Sequence, residues 1–286
     1  MVRIRELIEE SRRRYPDDNF FEYFEKECQT FQAKREQYNA YNEALMTLDD
    51  ESWNILKEKA IEQFPNDRLV KMKQEFPNYK LWQMKQAFFN TLNEAFAYRY
   101  LVNNDFKNVK ITKSIDIVFD MKDSINCCEV KTLGISDIEL MRLVERKNID
   151  YDEMNDLIKL TDPIIFYENI SKLNNNQNEI EDYLKEFDQN STNLKELFKK
   201  IEVPYKDYEY LSDAFINKLT IVINDAKDQI RKSGNGGLIY IFVRFDDLFS
   251  TCLDNYKTQI LAFCRNHRYD KLIIKMGYFE DEIAFI

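Results

Sequence analysis

The stretch "SIDIVFDMKDSINCCEVKTLG", Ser114 to Gly134, contains three residues whose types suit hydrolysis of a phosphodiester. Asp116 heads an apolar run. Glu129 and Lys131 follow after a short polar break, two positions apart. Strand side chains alternate faces, so Glu129 and Lys131 share a face with Cys127. On the preceding run Ser114, Asp116, Val118 and Asp120 share one face, and Ile115, Ile117, Phe119 and Met121 the other. A hairpin turning at Lys122 and Asp123 pairs residues whose numbers sum to 245, which sets Asp116 opposite Glu129. The expectation is that Asp116, Asp120, Glu129 and Lys131 gather on one face while the apolar face packs on the core.

Two opposed carboxylates repel unless a lysine, a cation or solvent offsets them. Mg²⁺ takes an octahedron of oxygens, often from one or two carboxylates plus waters and a substrate phosphate. Asp116, Glu129 and the backbone carbonyl of Val130 can supply one corner of that octahedron. Lys131 would then orient a water or stabilise charge growing on phosphorus. The alternative is a hairpin whose charges merely face solvent.

Scarcity narrows the chemistry further. The single histidine, His267, excludes sites needing two, such as H-E-x-x-H. It lies in "FCRNHRYDK", where a helix is expected to end before a strand, so a helix-terminal role is expected for it. The five glycines form neither G-x-x-x-x-G-K nor G-x-G-x-x-G. Hydrolysis here must lean on carboxylates and lysine, with or without a metal. Five cysteines without C-x-x-C spacing fit reduced thiols and a cytoplasmic setting. No apolar run approaches the roughly 20 residues that cross a bilayer, and the charged N-terminus lacks a signal-peptide core. No membrane partner is expected.

The elements that must position these residues follow from periodicity. Up to about Asn104 apolar residues recur at helical spacing, with Pro16, Pro65 and Pro77 at helix starts. "TLDDESWNILKEKAIEQF" carries an N-terminal capping signal, and "YKLWQMKQAFFNTLNEAFAYRYLVNND" reads as one long helix. Tyr23, Phe31, Trp53 and Trp82 read as core rather than base-stacking residues. "VKIT", "IDIVFDM" and "NCCEVKTL" read as strands. A polar, acidic region with helical stretches covers about 137–210, and "NNNQN" within it signals a loop. There Asp137 to Glu209 hold 18 acidic against 10 basic residues, most of the chain's net charge of −10. "LSDAFINKLTIVINDAKDQIRKS" then reads as a helix, "GNGG" as a turn and "LIYIFVRFD" as a buried strand. A helix from about Asp247 to Asn266 and the strands "KLIIKM" and "EIAFI" close the chain.

In this order of elements the sequence resembles the PD-(D/E)XK nuclease superfamily, the restriction-endonuclease-like fold. The resemblance covers roughly Leu81 to Gly134 and Leu211 to Ile286. It rests on Asp116 in "SIDIVF", where Ile115 replaces the family's proline, and on Glu129-Val130-Lys131 in "CEVKTLG". The upstream helical acid of the family matches Glu94 in "TLNEAFAYRYL". The later helix and strand match "DAKDQIRKSGNGGLIYIFV", where Gln229 or Lys227 could approach the site or substrate.

The resemblance implies an α/β (α+β) fold, a restriction-endonuclease-like mixed central sheet flanked by helices. A helical N-terminal region (1–80) precedes a core (81–286) that the acidic helical insertion at about 137–210 interrupts. It further implies a Mg²⁺-dependent phosphodiester hydrolase, with Mn²⁺ as substitute. Catalytic roles fall to Asp116, Glu129, Lys131 and Glu94, metal binding to Asp116, Glu129 and the Val130 carbonyl, and substrate contacts to Gln229 and Lys227. A DNA endonuclease of restriction or defence type is expected, DNA standing ahead of RNA as the nucleic-acid partner, and a homodimer would suit double-strand cleavage. Two alternatives stay open: an RNA-directed nuclease with the same site, and an inactive binding or regulatory protein that keeps the fold.

Overall fold

In a computed structural model the described residues are 3–14, 32–63, 77–121, 124–134, 177–201, 213–244 and 253–285, with scattered positions between 156 and 173. They form a mixed α/β structure, a six-stranded mixed sheet with helices on both faces. The elements, in order, are α1 (Arg3–Arg14), α2 (Gln32–Met46), α3 (Asp50–Ile61), α4 (Pro77–Asn103), β1 (Lys107–Ile111), β2 (Ile117–Met121) and β3 (Ser124–Gly134). Then come α5 (Gln177–Ile201), α6 (Asp213–Ser233), β4 (Gly236–Arg244), α7 (Leu253–Asn266), β5 (Leu272–Met276) and β6 (Ile283–Phe285).

Local chemistry explains where several elements begin. Asp49 caps α3, its side chain accepting the Ser52 N–H at 2.7 Å, which satisfies a backbone donor that the first turn cannot. Pro77 opens α4, where its missing N–H costs nothing. The two helical stretches expected in the acidic region are parts of one helix, α5, whose first turn takes in Gln177 and Asn178 of the expected "NNNQN" loop. Pro16, Pro65, Tyr23, Phe31 and the hairpin residues Lys122 and Asp123 lie outside the described residues, as does the side chain of Trp82.

The strands follow chain order, β1-β2-β3-β4-β5-β6. The first three are an antiparallel meander. β3, β4 and β5 run parallel, and β6 returns antiparallel. β2 pairs with β3 as Ile117↔Cys128, Val118↔Cys127 and on to Met121↔Ser124, so the expected register holds. β2 itself begins one residue after Asp116, which sits in the bend leading into it.

Alternation along β4 divides the core in two. Leu238, Tyr240 and Phe242 pack with residues of α1, α2, α3 and α4 on one face. Ile239, Ile241 and Val243 pack with α6 and α7 on the other. A parallel central strand buried on both faces reads as a continuous apolar run, as β4 does. Trp53 is core, as expected, buried on α3.

This layering bears on the alternative of a hairpin whose charges face solvent. The face carrying Cys127, Glu129, Lys131 and Leu133 is partly covered, because Leu133 packs in the core formed with α6 and α7. The charges sit where covered sheet meets the helices. The "GNGG" turn lets α6 enter β4 closely. Gly234 has φ +74°, and a Cβ on Gly237 would lie 2.6 Å from the Cys127 carbonyl oxygen.

Candidate active site

β3 runs on past the end of the β2 ladder, which starts at Ile117 and Cys128. At that step the edge of β3 is free of strand pairing, and Asp116 fills it. Its Oδ2 accepts the Val130 N–H at 2.9 Å. The N–H and C=O of a strand residue point to the same edge, so the Val130 carbonyl faces the same side as Asp116.

Glu129 is buried at 7% exposure, one step beyond the Ile117↔Cys128 pair and so opposite Asp116. Burial and the adjacent Asp116 charge push its pKa up, while Lys131 pulls it down. Lys131 Nζ lies 3.3 Å from Glu129 Oε2 and donates a hydrogen bond to Gln229 Oε1 on α6.

Glu94 projects from α4 and is 5% exposed. Its pKa is pushed up to about 8, by burial first and then by the charge of Asp116, against the opposing pull of Lys59. Lys59 Nζ stands 2.6 Å from Glu94 Oε1 and 3.4 Å from Asp116 Oδ1. It also lies 3.4 Å from the Thr112 carbonyl oxygen. The structure thus brings Asp116, Glu129, Lys131, Glu94, Val130 and Gln229 into one chain of contacts.

Two expected residues stay apart from it. Lys227 lies with Nζ 5.0 Å above the Tyr269 ring. It is two residues from Gln229, about 200° around the helix, so the two cannot share a face. Asp120 accepts the Asn108 amide at 2.5 Å instead of joining the group. Four strand residues, about 13 Å, separate it from Asp116. His267 follows α7 and is exposed, with Nδ1 3.0 Å from the Phe263 carbonyl oxygen, the helix-terminal place expected of it.

Sequence reasoning missed Lys59. The available signal was its position on α3: it falls three residues after Leu56 and one before Ala60, both buried. A lysine on the core-facing side of an amphipathic helix needs a partner there.

The oxygen donors suit a hard divalent cation. The Asp116 charge lies close enough to Glu129 to raise its pKa, and a cation would relieve that repulsion. Among the described residues no three His, Cys, Asp or Glu side chains gather as a metal-holding group. Glu94 is instead joined to Asp116 through Lys59. No helix among the described residues is long and apolar enough to cross a membrane. No family model, no curated protein and no solved structure matches this chain.

Proposed function

We propose that this chain is a metal-dependent nuclease of the PD-(D/E)XK type, with a restriction-endonuclease-like fold, acting on DNA ahead of RNA. The observation that carries the reading is the meeting of Asp116, Glu129 and Lys131, with Gln229 of α6 on the lysine. The order of elements supports it: a helix with Glu94, Asp116 at the entry to β2, the Glu129-Val130-Lys131 strand, then α6 and β4.

Asp116, Glu129 and the Val130 carbonyl would hold Mg²⁺, or Mn²⁺ in its place. When bound, such a cation neutralises phosphate charge and stabilises the leaving oxygen. Lys131 does the protein's own part. A lysine ammonium has three donors. Glu129 and Gln229 take two, which leaves the third to orient an attacking water or a phosphate oxygen. Holding the ammonium between two partners fixes its direction before substrate arrives.

The deciding experiment compares wild type with Lys131→Ala on supercoiled, linear and single-stranded DNA and on structured RNA. Each substrate is tested with Mg²⁺, Mn²⁺ and EDTA. The expected result is metal-dependent cutting that Lys131→Ala loses. Cutting of RNA alone would move the substrate to RNA.

One observation favours a second reading, an inactive binding or regulatory protein. Lys59 and Lys131 already compensate the carboxylates without any cation. That reading expects Mn²⁺ to bind wild type no better than Asp116→Ala.

A further inference from the structure

Lys59 comes from the N-terminal helices, outside the segments that carry the Asp, Glu-x-Lys and Gln residues. Its ammonium touches both oxygens of Glu94, at 2.6 and 2.7 Å, and Oδ1 of Asp116 at 3.4 Å. The side chain is only 19% exposed. Its backbone is held in a capped helix whose Trp53, Leu56, Ala60 and Ile61 are buried. The ammonium therefore reaches the carboxylates from a fixed base. It enters from the layer of α3 and α4, whereas Lys131 meets Gln229 of α6 in the opposite layer.

We infer that Lys59 is a positioning residue of this site, an internal cation that holds Glu94 and Asp116 together and competes with a divalent metal ion for Asp116. The inference rests on the metal-dependent reading of the site above. One ammonium hydrogen-bonded to the Glu94 carboxyl and ion-paired with Asp116 ties the two residues to a single point. The same charge opposes a second cation entering on Asp116. Metal binding then requires the Lys59 ammonium to withdraw from Asp116 while Glu94 retains it. The N-terminal helices thereby take part in the site and do more than support the sheet.

The test is Mn²⁺ binding, followed by electron paramagnetic resonance of free Mn²⁺, for wild type, Lys59→Met and Lys59→Gln. Circular dichroism checks that each is folded. Lys59→Gln keeps a hydrogen-bonding group of similar reach, and so guards against collapse of the Met variant. Loss of the competing charge should tighten Mn²⁺ binding by about tenfold. In wild type, amine acetylation of Lys59, read by peptide mass spectrometry, should rise when Mn²⁺ is added. Equal or weaker binding by a folded variant, or labelling indifferent to Mn²⁺, overturns the role of Lys59 and leaves the nuclease reading standing. No saturable Mn²⁺ binding by wild type or either variant overturns the metal reading, and the competition with it.

Discussion

Asp116 lies directly before β2, yet its carboxylate accepts the backbone N–H of Val130, the residue after Glu129, at 2.9 Å. The contact closes the open edge of β3 and sets the acid beside the Glu129 carboxyl. It gives Asp116 a structural duty as well as a chemical one, and the two duties can be separated. Asp116→Asn keeps an acceptor for Val130 and should remain folded while losing Mn²⁺ binding. Asp116→Ala strands the Val130 N–H and should cost about 1–3 kcal/mol of stability. Urea unfolding of the two variants checks this, and equal destabilisation by both would show that the Val130 contact contributes nothing.

Gln229 accepts from Lys131 across the boundary between β3 and α6. Its role under the nuclease reading is to aim the ammonium. Gln229→Ala should lower kcat by roughly tenfold, whereas Lys131→Ala should lower it by ~100-fold or more. Lys227→Ala, its lysine directed at Tyr269, should leave kcat within about twofold. Single-turnover cleavage compares the three, and a Lys227→Ala defect as deep as that of Lys131→Ala would contradict the assignment.

Glu94 holds its proton up to about pH 8, against an ordinary value of 4.5, chiefly because it is buried. The folded chain therefore binds a proton that the unfolded chain has lost between those two values. Stability contributed by the neutral group is full below the unfolded value and declines as pH rises toward the folded one. The decline is on the order of a few kcal/mol. Glu129, also raised, adds a slope of the same sign. Glu94→Gln should flatten most of the pH dependence of the urea midpoint from about pH 5 to about pH 8. A pH profile parallel to that of wild type would refute the assignment.

Gly237 meets β3 so closely that a Cβ would sit 2.6 Å from the Cys127 carbonyl oxygen and 2.9 Å from Ile230 Cγ2. The carbonyl belongs to backbone and cannot rotate away. Gly237→Ala should thus destabilise by about 1–3 kcal/mol through overpacking. At Gly234, where φ is +74° and nothing lies within 4 Å, alanine meets backbone strain alone and should cost about 1 kcal/mol. Thermal melts rank the two, and a Gly237→Ala melt at the wild-type temperature would show that β3 and β4 can separate at that point.

The sequence by itself determined what depends on neighbours along the chain. Strand alternation and a two-residue turn set Asp116 against Glu129, and the observed pairing of Ile117 with Cys128 keeps that register. Helix period, the capping signal in "TLDDESWN" and Pro77 near a helix start marked α3 and α4, which the structure caps at Asp49 and opens at Pro77. Only the tertiary structure decided which layers would cover the sheet, because many helix placements satisfy the same apolar stripe. Packing α6 over β3 brought Gln229 to Lys131 and turned Lys227 toward Tyr269. Packing α3 beside α4 delivered Lys59 to Glu94 and Asp116 across 35 and 57 residues of chain. Spacing in sequence fixes the faces of one element, whereas the meeting of charges from separate elements is set by the burial that drives those elements together.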